Sequence, residues 1–88
     1  MTNREILCEM GHEDAVIFEN PDYDSAIIGV SDDNRVIYDY DKMLGHLMTV
    51  EGIDLLDAAD FISYNTIRSL PYAGESGPII MYGLFDMD

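Results

Sequence analysis

Ser25-Ala26-Ile27-Ile28-Gly29-Val30 and Arg35-Val36-Ile37-Tyr38-Asp39-Tyr40 decide the fold. Both runs are rich in β-branched and aromatic residues, and Ser31-Asp32-Asp33-Asn34 joins them. Asp and Asn tolerate left-handed backbone angles, so the three pieces read as a β-hairpin. Strand periodicity puts Val36, Tyr38 and Tyr40 on one face of the second strand and Arg35, Ile37 and Asp39 on the other. Val36 and Tyr38 are expected toward the helices, and the reverse assignment fits the pattern almost as well.

Upstream, Ala15-Val16-Ile17-Phe18 is a compact apolar run of strand length. Glu13-Asp14 and Asn20-Pro21 bound it, and Pro21 pushes Asn20 away from helical angles. Residues 3 to 10 read as a short helix carrying Ile6, Leu7 and Met10 and stopped by Gly11. Downstream, Asp41 is expected to cap a helix from Lys42 to Val50 with Met43, Leu44, Leu47 and Met48 inward, ended by Gly52. Asp54 caps a longer helix to Leu70, with Ile53 as a hydrophobic staple. Its expected buried face is Leu55, Leu56, Ala59, Ile62, Thr66, Ile67 and Leu70; Asp57, Asp60, Tyr64 and Arg68 make the other face. Pro71 ends it, Ala73 to Gly77 form a loop, and Pro78 to Leu84 read as the last strand.

The expected order is therefore α-β-β-β-α-α-β over residues 1–88, a single small acidic domain with no linker and no repeat. Its class is α+β: a mostly antiparallel four-stranded sheet with helices on one face. The long helical excursion lets the last strand pair in either direction.

Composition narrows the function. The chain has 88 residues, 18 acidic and 4 basic, for a formal net charge of −14. Such a balance excludes direct nucleic-acid binding, which needs a Lys/Arg footprint, and docking on an anionic membrane. With 48% hydrophobic residues the chain is not disordered. The single cysteine, Cys8, forms no intrachain disulfide, and a reducing cytoplasmic location fits. The longest apolar run, Ile79 to Phe85, is strand-sized. A chain starting at Met1 without a leader is expected to be a complete small product.

No enzyme signature emerges. Cys8 and His12 stand four apart, but Gly11 interrupts the helix between them and nothing orients the imidazole. Cys8, His12 and His46 fall one short of a structural zinc set. Asp22-Tyr23-Asp24 and Asp39-Tyr40-Asp41 offer D-x-D pairs, and neither continues into a calcium loop. Gly74-Glu75-Ser76-Gly77 has the glycines of a phosphate cradle, but also a carboxylate and no following Lys. No metal, no cofactor and no catalytic residue is expected.

Caps and turns account for Asp32, Asp33, Asp41 and Asp54. Asp22, Asp24, Asp39, Asp57 and Asp60 have no such local use, and an excess of this size costs stability through self-repulsion. With Tyr23 and Tyr64 they form the expected partner-binding set, aromatic area beside carboxylates. The expected partner is a protein with a basic surface. Its groove would otherwise hold nucleic acid, which this chain would mimic as a non-enzymatic inhibitor. The alternative is an interaction module or homo-oligomer whose charge serves solubility alone.

Asn20-Pro21-Asp22-Tyr23-Asp24-Ser25-Ala26-Ile27-Ile28-Gly29-Val30, Val36-Ile37-Tyr38-Asp39-Tyr40-Asp41-Lys42-Met43, and Tyr64-Asn65-Thr66-Ile67-Arg68-Ser69-Leu70-Pro71-Tyr72-Ala73-Gly74 followed by Pro78-Ile79-Ile80-Met81-Tyr82 cover most of the chain. In these runs the sequence resembles a family of small acidic proteins from bacterial mobile elements and prophages. That family carries no settled activity, so no catalytic residue transfers. The resemblance implies a genetic setting in which anti-defence proteins, including anti-CRISPR inhibitors, occur.

Overall fold

The computed structural model describes residues 2–19 and 21–84. The turn role expected of Asn20 and the contribution of Phe85 to the last apolar run lie outside the described residues.

The elements are α1 (Asn3–Glu9), β1 (Ile27–Val30), β2 (Val36–Asp39), α2 (Tyr40–His46), α3 (Leu55–Phe61) and β3 (Ile79–Met81). A 3-10 turn, Asp24–Ala26, leads into β1, and another, Leu70–Ala73, follows α3. α2 and α3 each continue into a wider π turn, Leu47–Glu51 after α2 and Ile62–Ile67 after α3. The class is α+β, and the sheet has three strands in the order β1-β2-β3.

The hairpin forms as its sequence dictates. β1 and β2 pair antiparallel, with Ile27 opposite Tyr38 and Val30 opposite Val36, and a bulge between Ile27 and Gly29. Asn34 takes the left-handed angle, φ 65°, that its short polar side chain tolerates. Val36 and Tyr38 are fully buried and Ile37 half-buried, so the expected assignment of faces is the one adopted.

Two expectations about the sheet are corrected. Ala15–Phe18 is not a strand, so the sheet has three strands and the order is α-β-β-α-α-β. β2 is already flanked on both sides, and the Phe18 N–H donates to the Tyr38 hydroxyl at 3.1 Å instead of to a strand. Ring packing holds Phe18: its centroid is 4.7 Å from that of Tyr38 and 5.8 Å from that of Tyr23. Secondly, the sheet is mixed and not mostly antiparallel: β3, whose direction the sequence left open, pairs with β2 in parallel, with Ile37 opposite Ile79 and Asp39 opposite Met81. The two helices between β2 and β3 supply the long crossover that parallel pairing requires.

The helices also start and turn differently from expectation. α2 begins at Tyr40, directly after β2, so Asp39 and not Asp41 occupies its N-cap position, without a side-chain capping bond. Gly52, at φ 70°, ends the following π turn as its sequence position implies. Asp54 caps α3, its carboxylate accepting from the Asp57 N–H at 2.8 Å. On α3 the buried side is Ala58 and Ile62, continued by Thr66; Leu55 and Leu56 are exposed. Ala58, the smallest side chain available there, lets the helix approach its neighbours closely. The core thus joins Tyr23, Tyr38, Met43, Leu47, Ala58 and Ile62.

Candidate protein-binding surface

Four cations face eighteen acids. Among the described residues one ion pair forms, Arg4 with Asp22 at 4.0 Å, between partly exposed groups. A pair of that kind contributes at most about 1 kcal/mol. Arg35 is turned to the backbone, its Nε donating to the Gly77 carbonyl at 2.8 Å. Lys42 and Arg68 are exposed. The negative field of the surface is therefore largely uncompensated.

The seven expected contact residues divide into two groups. Asp57, Asp60 and Tyr64 are exposed on α3 and its π turn. At helical spacing they share one side with Leu56, opposite the buried Ala58 and Ile62. Leu56 is 78% exposed and Tyr64 66%, so this side carries two carboxylates between two apolar groups. Leu56, like Leu55, was expected on the buried face and is exposed. Ile62 and Thr66 of the expected face are buried; the signal for the start of the stripe was Ala58, which stands four residues before Ile62.

Of the other four, Asp22, Asp24 and Tyr23 are tied into the fold. Asp24 acts as a remote cap of α1, its Oδ2 accepting from the Asn3 N–H and its Oδ1 from the Arg4 N–H, each at 3.0 Å. Asn3 returns the bond, donating from Nδ2 to the Asp24 carbonyl at 2.8 Å. Asp22 Oδ1 accepts from the Asp24 N–H at 3.1 Å and so shapes the turn that presents Asp24. Asp39 is half-buried where β2 runs into α2.

Tyr23, expected at a partner interface, is a core residue with 0% exposure. Its hydroxyl bonds the Thr66 hydroxyl at 2.8 Å, and its ring centroid lies 5.5 Å from that of His46. Burial raises its phenol above the usual value of 10.0, against the opposing effect of the Thr66 bond.

This assignment of Asp24 is testable. Asp24→Ala removes the acceptor of two backbone N–H groups at a helix start, and a loss of about 1–3 kcal/mol is expected. Urea denaturation followed by circular dichroism measures it; a loss indistinguishable from zero would return Asp24 to the pool of unused acids.

For chemistry, the residues are scattered. Cys8 is exposed, and His12 is engaged through Nδ1 with the Asn34 Oδ1 instead of with Cys8. Among the described residues no group of three or more His, Cys, Asp or Glu side chains is placed to hold a metal ion. No helix among them is long and apolar enough to cross a membrane.

No family model, no curated relative and no solved structure matches the chain.

Proposed function

We propose that this chain is a non-enzymatic acidic protein-binding domain. It inhibits a partner by occupying a basic groove in place of nucleic acid, as a nucleic-acid mimic. The partner class is a nuclease or another nucleic-acid-binding complex in the cytoplasm, in keeping with the resemblance to mobile-element proteins and their anti-defence, anti-CRISPR-like setting. The observation that carries this reading is the charge arrangement: eighteen acids, one ion pair among the described residues, and Asp57 and Asp60 on an outward side of α3 beside exposed Leu56 and Tyr64. Aligned charge of this kind raises association rates about 10–10³-fold at low salt. The exposed apolar groups supply contact area once the surfaces meet.

The test is competition with duplex DNA for isolated nucleic-acid-binding complexes, after capture from cells with the immobilised domain. Micromolar or tighter binding that weakens with salt is expected, together with weaker binding by the double variant Asp57→Asn with Asp60→Asn. Both residues are exposed on a helix surface, so the variant folds. Binding that ignores both salt and that variant removes the reading.

One observation favours the second reading, self-association. Exposed Ile6, Met10 and Ile28 line a shallow groove where α1 runs beside β1, an edge strand of the sheet. Two copies each carrying −14 repel. Dimers of this kind therefore form only in high salt, which sedimentation at two ionic strengths reads directly.

A further inference from the structure

Asn65 and Thr66 of the π turn Ile62–Ile67, together with Phe18, Glu19 and Pro21, line a cavity of about 350 Å³. That is the low end of the roughly 300–1,000 Å³ that ligand pockets occupy, enough for one long side chain. Phe18 and Phe61 provide aromatic walls. The buried Tyr23 closes the floor, its hydroxyl already bonded to Thr66.

The polar groups of the rim share one property. Asn65 donates one Nδ2 proton to the Phe61 carbonyl at 3.2 Å, which leaves its Oδ1 as an acceptor beside a second Nδ2 proton. Ser69 donates its hydroxyl proton to the Thr66 carbonyl at 2.7 Å, which leaves its lone pairs. Glu19 adds an exposed carboxylate to the same rim. The cavity therefore presents acceptors and aromatic surface. Its best complement is rich in donors and has a positive charge and a flat face. Guanidinium meets all three conditions: five N–H donors, no acceptor and a planar cation that stacks on aromatic rings.

We propose that this cavity is the seat of an arginine side chain from the partner protein. The proposal rests on the reading of the domain as an acidic binder of basic surfaces, and it names the anchor. Asp57, Phe61 and Asn65 follow one another at four-residue spacing, so the cavity adjoins the outward side of α3 that carries Asp60 and Tyr64. A basic surface steered to those carboxylates brings its arginines to the cavity mouth. A buried anchor of this type is where interfaces concentrate their binding energy.

The experiment compares hexa-arginine with hexa-lysine, equal in charge and different in head group, by fluorescence anisotropy against the full chain. Hexa-arginine is expected to bind at least about tenfold more tightly, because a lysine ammonium lacks the planar fork. Glu19→Gln and Asn65→Ala, both at exposed positions, are each expected to abolish that margin. The double variant Asp57→Asn with Asp60→Asn is expected to weaken both peptides alike and keep the margin.

Amide shifts of Asn65, Thr66 and Ser69 on titration with N-acetyl-arginine amide, absent with the neutral citrulline analogue, place the head group in the cavity. Equal affinity for the two peptides, or a margin that survives both rim substitutions, overturns the arginine seat. In that case salt-sensitive binding that still depends on Asp57 and Asp60 leaves the acidic-surface reading standing. If neither peptide binds, both readings fall.

Discussion

Replacing Tyr38 by alanine is expected to cost about 3–5 kcal/mol, a large share of the roughly 5–15 kcal/mol total stability of a small domain. Tyr38 is fully buried in the central strand. Its ring packs on Phe18 at 4.7 Å and on Tyr23 at 6.5 Å between centroids, and its hydroxyl takes the Phe18 N–H at 3.1 Å. The substitution therefore opens a cavity and releases the Ala15–Phe18 segment together. Tyr38→Phe keeps the ring and loses only that acceptor, and is expected to cost about 1 kcal/mol. Urea midpoints for the three proteins separate the two contributions.

The same residue sets a pH dependence. Burial pushes the Tyr38 phenol from 10.0 up to about 12; the Phe18 N–H bond and Arg4 oppose the rise, and the Asp22 and Asp24 carboxylates add to it. The folded state then holds the phenolic proton more tightly than the unfolded chain. This contribution is complete below the unfolded value of about 10 and is lost as pH climbs toward about 12. Stability is thus expected to fall across that window, and the fall is shallower in Tyr38→Phe. A midpoint flat to about pH 12 would mean that the ring is solvated in solution.

The second large effect concerns which side of α3 faces inward. Ile62→Ala is expected to cost about 2–5 kcal/mol, because Ile62 is fully buried. Leu56→Ala, at a position 78% exposed, is expected to stay within about 0.5 kcal/mol of the parent. Both residues belong to the apolar stripe read from the sequence, so the pair decides between that stripe and the observed one. Comparable losses at the two positions would turn the helix back toward Leu56 and withdraw the outward side on which the proposed function rests.

Much of this molecule is legible in one dimension. The hairpin follows from alternation and turn chemistry, Asp54 and Gly52 bound the helices by local bonding and local angles, and the unbalanced charge is simple counting. The candidate surface is legible in part: Asp57, Asp60 and Tyr64 sit at helical spacing on the side read as polar. Asp24 and Tyr23 have structural uses that the sequence reading missed, because their partners lie far along the chain. Asp24 caps a helix 21 residues upstream, and Tyr23 bonds a hydroxyl 43 residues downstream. No local pattern encodes a partner at that distance.

What the amino-acid order determined alone is the set of elements whose stabilising contacts lie within a turn or two: the hairpin, the existence of the three helices, and the breaks at Gly11 and Gly52. What only the tertiary structure decided is how those elements meet. It placed β3 parallel to β2, left Ala15–Phe18 outside the sheet, turned α3 onto Ala58 and Ile62, and assembled the cavity beside Phe18 and Asn65. The reason is competition for a limited interior. An apolar run states that it will be buried, but in a small domain the neighbours that arrive decide which face is covered and which strand edge is taken.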